Sequence, residues 1–186
     1  MKRNLPLIGI LFLFILSACG KGREASIEKI KDLELRLANE KNPDQQGPLV
    51  YDLEILYNDF ANRFPDDSLS ATYLYKAFEQ NLRLNWYDRA IKSAEVLIKK
   101  FPNSSKTPEV MFNMAFIYDD KLNDDAKAGE IYNEFLKLYP DHALSADAKY
   151  SILFLGLTPE ETLKKVEEMS MQKDSASAAN SAPNPQ

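Results

Sequence analysis

Tyr57-Asn58-Asp59-Phe60-Ala61-Asn62-Arg63-Phe64-Pro65, Ala94-Glu95-Val96-Leu97-Ile98-Lys99-Lys100-Phe101-Pro102 and Tyr132-Asn133-Glu134-Phe135-Leu136-Lys137-Leu138-Tyr139-Pro140 are three versions of one phrase. Each closes a stretch of helical periodicity on an aromatic residue and a proline, and the prolines stand 37 and 38 residues apart. The register extends outward: Tyr75, Phe112 and Tyr150 each follow ten residues after a proline. Self-similarity at this period marks a stack of supersecondary units, each too small to bury its apolar face alone. The recurring positions Tyr57, Phe60, Phe64, Ala90, Ala94, Leu97, Ala115, Ala128, Tyr132 and Phe135, with Pro65, Pro102 and Pro140, are therefore expected to form the repeat core.

Around these phrases the chain divides into helices. Residues 24–41 carry Ile27, Ile30, Leu33 and Leu37 at spacings of three and four, with charges between them. Two prolines and a glycine in Asn42 to Pro48 break the pattern, so the next helix is expected from Leu49 to Phe64. Further helices are predicted over residues 67–83, Trp86–Phe101, Thr107–Asp120, Asp124–Tyr139 and Leu144–Leu155. Thr107 is placed as the cap of its helix, Pro108 at the first turn and Glu109 against the dipole. Thr158-Pro159-Glu160-Glu161 reads as a capping box that opens an eighth helix ending near Met171. The Ala, Ser, Asn and Pro of residues 172–186 carry almost no apolar bulk and are expected to stay disordered. The fold class is all-α, an α-solenoid of about four antiparallel hairpins over residues 24–171, clearest in 49–156.

The first residues say where such a chain resides. Lys2 and Arg3 precede an apolar run from Leu5 to Leu16, and Leu16-Ser17-Ala18-Cys19 follows. The run is too short for a permanent span and reads as a secretory signal over residues 1–18. The arrangement resembles the lipobox of bacterial lipoproteins. That resemblance implies cleavage between Ala18 and Cys19, diacylglycerol on the Cys19 thiol, an acyl chain on its new amine, and a short tether over residues 19–23. Gly20 after the cysteine directs the expectation to the outer membrane, facing the periplasm. Removing residues 1–18 takes away two of the 23 basic residues and none of the 28 acidic ones, so the charge moves from −5 to −7. An acidic surface excludes nucleic acid as a partner class.

The helix-pair pattern resembles the tetratricopeptide repeat. Met111, Met114, Ala115 and Tyr118 stand at its helix A positions, and Ala128, Tyr132, Phe135 and Pro140 at its helix B positions. Ala90, Ala94, Leu97 and Pro102 fit helix B of the preceding hairpin, whereas Leu74, Ala77, Phe78 and Asn81 match helix A poorly. The extended turn after proline is similar to periplasmic members: the lipoprotein of the β-barrel assembly machinery and the Tol–Pal-associated cell-division protein. The resemblance implies a scaffold for other cell-envelope proteins, in outer-membrane protein assembly. A structural subunit of a Tol–Pal or peptidoglycan-linked complex, or a peptide or small-ligand binder, is the alternative. It also implies a groove on the A-helix face, with Lys76, Asn113 and Ser151 as candidate contacts.

Chemistry has no foothold. His142, the single histidine, lies in a turn, and the acids at Asp119, Asp120, Asp124 and Asp125 lack EF-hand spacing, so no metal is expected. No phosphate loop or nucleophile motif is present, and the protein is expected not to be an enzyme and to need no cofactor beyond its lipid. Trp86 is assigned a structural place at the head of its helix.

Overall fold

The three aromatic-proline phrases end helices in the same way. The amides of Phe64, Phe101 and Tyr139 donate the last helical bond to Phe60, Leu97 and Phe135 at 2.8–2.9 Å. Each aromatic carbonyl then accepts twice. One donor is the amide three residues on, in Asp67, Ser104 and His142, at 3.0–3.2 Å. The other is a hydroxyl six residues on: Ser70 at 2.6 Å, Thr107 at 2.6 Å and Ser145 at 2.7 Å. All three hydroxyl residues are buried. A buried carbonyl without a partner is costly, so the hydroxyl closes the turn and seats the next helix.

The computed structural model describes residues 7–180, with side chains over 21–173. It contains α1 (Leu7–Asn39), α2 (Pro43–Arg63), α3 (Ser68–Arg83), α4 (Tyr87–Lys100), α5 (Thr107–Phe116), α6 (Asp125–Leu138), α7 (Ser145–Phe154) and α8 (Pro159–Asn180). A π-helical turn, Ile117–Lys121, extends α5. No strand occurs among the described residues. The helices pair as α1/α2, α3/α4 and α5/α6, each hairpin packing on the next, and α7 continues the stack against α6.

In the hairpins after α1/α2, the A-to-B turns use a left-handed residue after leucine. Asn85 has φ 58°, Asn123 φ 51° and Gly156 φ 72°. Asparagine and glycine tolerate that region where other residues are strained. At Gly156 a Cβ would also meet Asp125 Oδ2 at 2.9 Å.

Two apolar clusters fill the interior. In the first, Ile30 and Leu33 of α1 meet Leu53, Tyr57 and Phe60 of α2 and Tyr73 of α3. Tyr57 stacks on Tyr73 at 5.3 Å, and Phe60 meets the Tyr73 ring edge-on at 4.9 Å. The second runs from Ala61 to Ala148 and includes Ala90, Ala94, Leu97, Ala115, Ala128, Tyr132 and Phe135, each essentially sealed from solvent. Burying a side chain the size of phenylalanine contributes about 2 kcal/mol. Leu74, Ala77, Phe78 and Asn81 are buried as well. Ala77-Phe78 exchanges the large-small order of Met114-Ala115, and the pair keeps its volume while losing its resemblance.

Several expectations are corrected. Pro65, Pro102 and Pro140 are exposed in the turns, and Phe64 is half-buried, so these four lie at or outside the edge of the core. Proline has no amide to donate and belongs where the helix bond is already missing. α2 begins at Pro43, not Leu49, because Asn42 caps the Asp44 amide at 3.1 Å and proline suits the first helical turn. Pro48 is carried inside that helix. Thr107 does not cap α5; its hydroxyl is spent on Phe101, and Lys106 holds the cap position without a side-chain bond.

α1 is continuous from Leu7, so residues 19–23, the expected tether, are helical. Arg23 in that helix forms an ion pair with Asp67, with a second bond at 3.2 Å. α8 continues to Asn180, past Met171, through a stretch whose alanines favour helix and which has no proline before Pro183. The basic residues Lys2 and Arg3, the side chains of Ala18 and Cys19, and residues 181–186 lie outside what is described.

Candidate functional site

A groove of about 480 Å³ opens between α1 and α3, with α2 as its floor. Leu37, Leu53 and Tyr57 make the apolar base, and Glu34, Lys76, Glu79 and Arg83 stand on the walls. Heptad-like apolar spacing in α1 turns Ile30, Leu33 and Leu37 to α2, which leaves Glu34 facing α3. The Tyr57 hydroxyl donates to Glu34 Oε1 at 2.8 Å, and Lys76 Nζ donates to the same oxygen at 2.8 Å. Lys76 also lies over the Tyr73 ring at 5.7 Å. Burial first, and then the Glu34 carboxylate, push the Tyr57 phenol far above its ordinary range. It therefore remains a neutral donor at any physiological pH.

Arg83 bridges α3 to α2, donating to Gln46 Oε1 at 2.9 Å and to Gln80 Oε1 at 3.1 Å. The walls thus present fixed charges of both signs around an apolar floor. Such a surface can orient and desolvate a polypeptide segment. It holds no histidine, cysteine or hydroxyl nucleophile other than the occupied Tyr57.

Of the three predicted contacts, Lys76 lines this groove. Asn113 lies in a separate cleft of about 310 Å³ with Glu109, Phe112 and His142. Tyr75 of α3 donates to Glu109 of α5 at 2.6 Å, linking the helices that carry the two clefts. Ser151 is in neither and is half-buried on α7, while the nearby core residue Tyr132 has its hydroxyl sealed without a hydrogen-bond partner. The structure therefore does not bring the three together in one pocket. His142 lies in its turn, accepting from the Leu144 amide at 3.2 Å with its ring edge-on to Phe135 at 5.7 Å. Burial, and then Asp125 and Asp120, raise the Asp119 carboxyl. No group of three or more possible metal ligands converges among the described residues.

Sequence reasoning missed Glu34, Glu79, Arg83 and the polar end of Tyr57. Tyr57 was legible as core because its ring recurs, but its hydroxyl finds Glu34 only in three dimensions. The three buried hydroxyls were missed although a signal existed: Ser70, Thr107 and Ser145 each follow a phrase proline by five.

A family model described as an outer membrane lipoprotein, YfiO, matches residues 67–184. The chain belongs to this family. The match begins at the residue that caps α3, where the Asp67 side chain accepts from the Leu69 amide at 2.9 Å. Of the two envelope groups the repeats resemble, it selects the tetratricopeptide outer membrane lipoproteins. Comparison with curated proteins returns no match. The outer membrane lipoprotein has no described helix long and apolar enough to cross a membrane.

Proposed function

We propose that this outer membrane lipoprotein is a non-enzymatic scaffold that receives a segment of another envelope protein in the groove between α1 and α3. The single observation that carries this reading is the prebuilt Tyr57–Glu34–Lys76 arrangement over an apolar floor. It fixes the wall groups before a partner arrives, so binding loses less side-chain freedom. The family match supports a scaffold at the outer membrane, and outer-membrane protein assembly is the pathway proposed for it. Cys19, acylated after cleavage of residues 1–18, supplies the attachment; two or three acyl chains hold a protein stably on a bilayer.

A photo-crosslinking residue at Lys76, in the full chain in its native membrane, tests the groove. It should capture a discrete set of envelope proteins that the same residue at Lys164 on α8 does not. Identical capture from both positions, or none from Lys76, would reject it. Cys19→Ser should leave an uncleaved, unlipidated precursor, and release of the unchanged protein from membranes by detergent-free washing would contradict the anchor.

A further inference from the structure

A second recessed surface shares no residue with the groove. It is a pocket of about 440 Å³ where α2, the α3–α4 turn and the α5–α6 turn meet. Tyr51, Trp86, Tyr87 and Leu122 line it, with Asp88 and Arg89. Tyr51 and Leu122 are 47% and 40% exposed, large apolar surfaces left to water. The walls are nonetheless fixed. The Trp86 ring packs so closely on Gly47 that a Cβ there would sit 3.3 Å away. The Tyr87 hydroxyl donates to Asn85 Oδ1 at 2.8 Å, and Asn85 holds the left-handed turn.

The charges decide what such a pocket accepts. The Arg89 guanidinium lies 4.7 Å from the Tyr51 ring centre and 5.6 Å from that of Trp86. It is tied to Glu54 Oε2 by bonds of 3.0 and 2.7 Å. A cation entering to stack on those faces would meet another cation already there, so the pocket is no ammonium cage. An anion gains little from Arg89, whose charge Glu54 already offsets. Lys121, beside Leu122, is paired with Asp120 at 2.6 Å. Asp88 alone among the lining charges makes no ion pair or hydrogen bond among the described residues. The lining charge left without a side-chain partner is negative, and the whole chain is acidic at −5.

We infer that this pocket docks a partner protein segment in which an apolar side chain stands next to a basic one. The apolar group enters between Tyr51, Trp86 and Leu122, and the basic head meets Asp88. Tryptophan, tyrosine and arginine are the residues in which interface binding energy concentrates, and a rigid pocket limits the entropy lost on docking. The inference does not rest on the α1/α3 groove.

Trp86 is the only tryptophan, so its emission reports on this pocket alone. The full lipidated chain in phosphatidylcholine nanodiscs would be titrated with acetyl-Gly-Phe-Lys-Gly-amide, its glutamate twin, and a trimer of N-acetylglucosamine. The expected result is a saturable emission change with the lysine peptide and at least fivefold weaker binding of the glutamate twin. Asp88→Asn should erase the difference between the peptides, whereas Leu122→Ala should weaken both, with melting unchanged. Equal binding of the two peptides, preference for the saccharide, or no saturable change would overturn the inference. So would a lysine preference that survives Asp88→Asn.

Discussion

The two ends of the stack differ in how they turn and in what they bury. In the first hairpin, α1 places Ile30, Leu33 and Leu37 against Val50, Leu53, Tyr57 and Phe60 of α2. Its outward side is mostly charged, as a terminal repeat must be to stay soluble. The last hairpin opens with the buried Ser145 hydroxyl, turns at the left-handed Gly156 and starts α8 with a reciprocal capping box. In that box Thr158 and Glu161 bond each other's amides at 2.8 and 3.2 Å. Yet α7 buries only Ser145 and Ala148, and Tyr150, Leu163 and Val166 stay exposed.

α8 touches α7 sparsely, through a 2.6 Å bond from Lys165 to the Leu153 carbonyl. Counting from the caps at Asp124 and Thr158, Thr162, Val166 and Met169 occupy the places of Ala128, Tyr132 and Phe135. The inner three are fully buried and the outer three are not. Local signals thus decide where a helix starts and ends, while packing requires bulky apolar residues on both members.

The comparison can be broken most severely in the core. Phe60→Ala and Phe135→Ala should each cost roughly 3–5 kcal/mol in urea unfolding. A melt left unchanged by Phe135→Ala would contradict the repeat register. Removing the turn hydroxyls sharpens the contrast differently. Ser70→Ala, Thr107→Val and Ser145→Ala should each cost about 1–2 kcal/mol, at the open end as at the closed one, because the bond is local. A silent Ser145→Ala would mean that the last turn is held by something else.

Acid should loosen the α1 end through Asp67. Arg23, by hydrogen bond, and then the Leu69 amide hold the Asp67 carboxyl below its ordinary 3.8. A depressed carboxyl contributes stability that is full above its unfolded pKa and lost as pH falls through its folded pKa. Amide exchange in residues 21–30 should therefore quicken, beyond its intrinsic change, only below about pH 4. With Asp67→Asn it should already be quick at pH 7. The smallest effect belongs to α8: Leu163→Ala and Val166→Ala should shift stability by less than about 0.5 kcal/mol, and its amides should exchange with little protection.

Much of this was legible because it is local or periodic. The aromatic-proline phrases located α3, α4, α6 and α7 to within a residue or two, and the capping box at Thr158 located α8. The start of α2 was hidden because Pro43 and Pro48 read as breakers, although proline is at home in a first turn. The groove was hidden for another reason: Glu34 and Lys76 are 42 residues apart, and only the stacking of hairpins brings them to 2.8 Å. Asp88 and Tyr51 stand at the same repeat position, fourteen residues before Pro102 and Pro65, but an acid and an aromatic there share no pattern that marks a pocket.

The continuity of α1 has a consequence for how partners are met. Arg23 is docked on Asp67 four helical residues beyond Cys19, a rise of about 6 Å, with no leash between. Acyl chains on Cys19, as proposed, would let the body ride at a set height and tilt over the bilayer. A partner confined to the same membrane then searches a plane instead of a volume, and its local concentration is governed by geometry, not by its abundance in the periplasm.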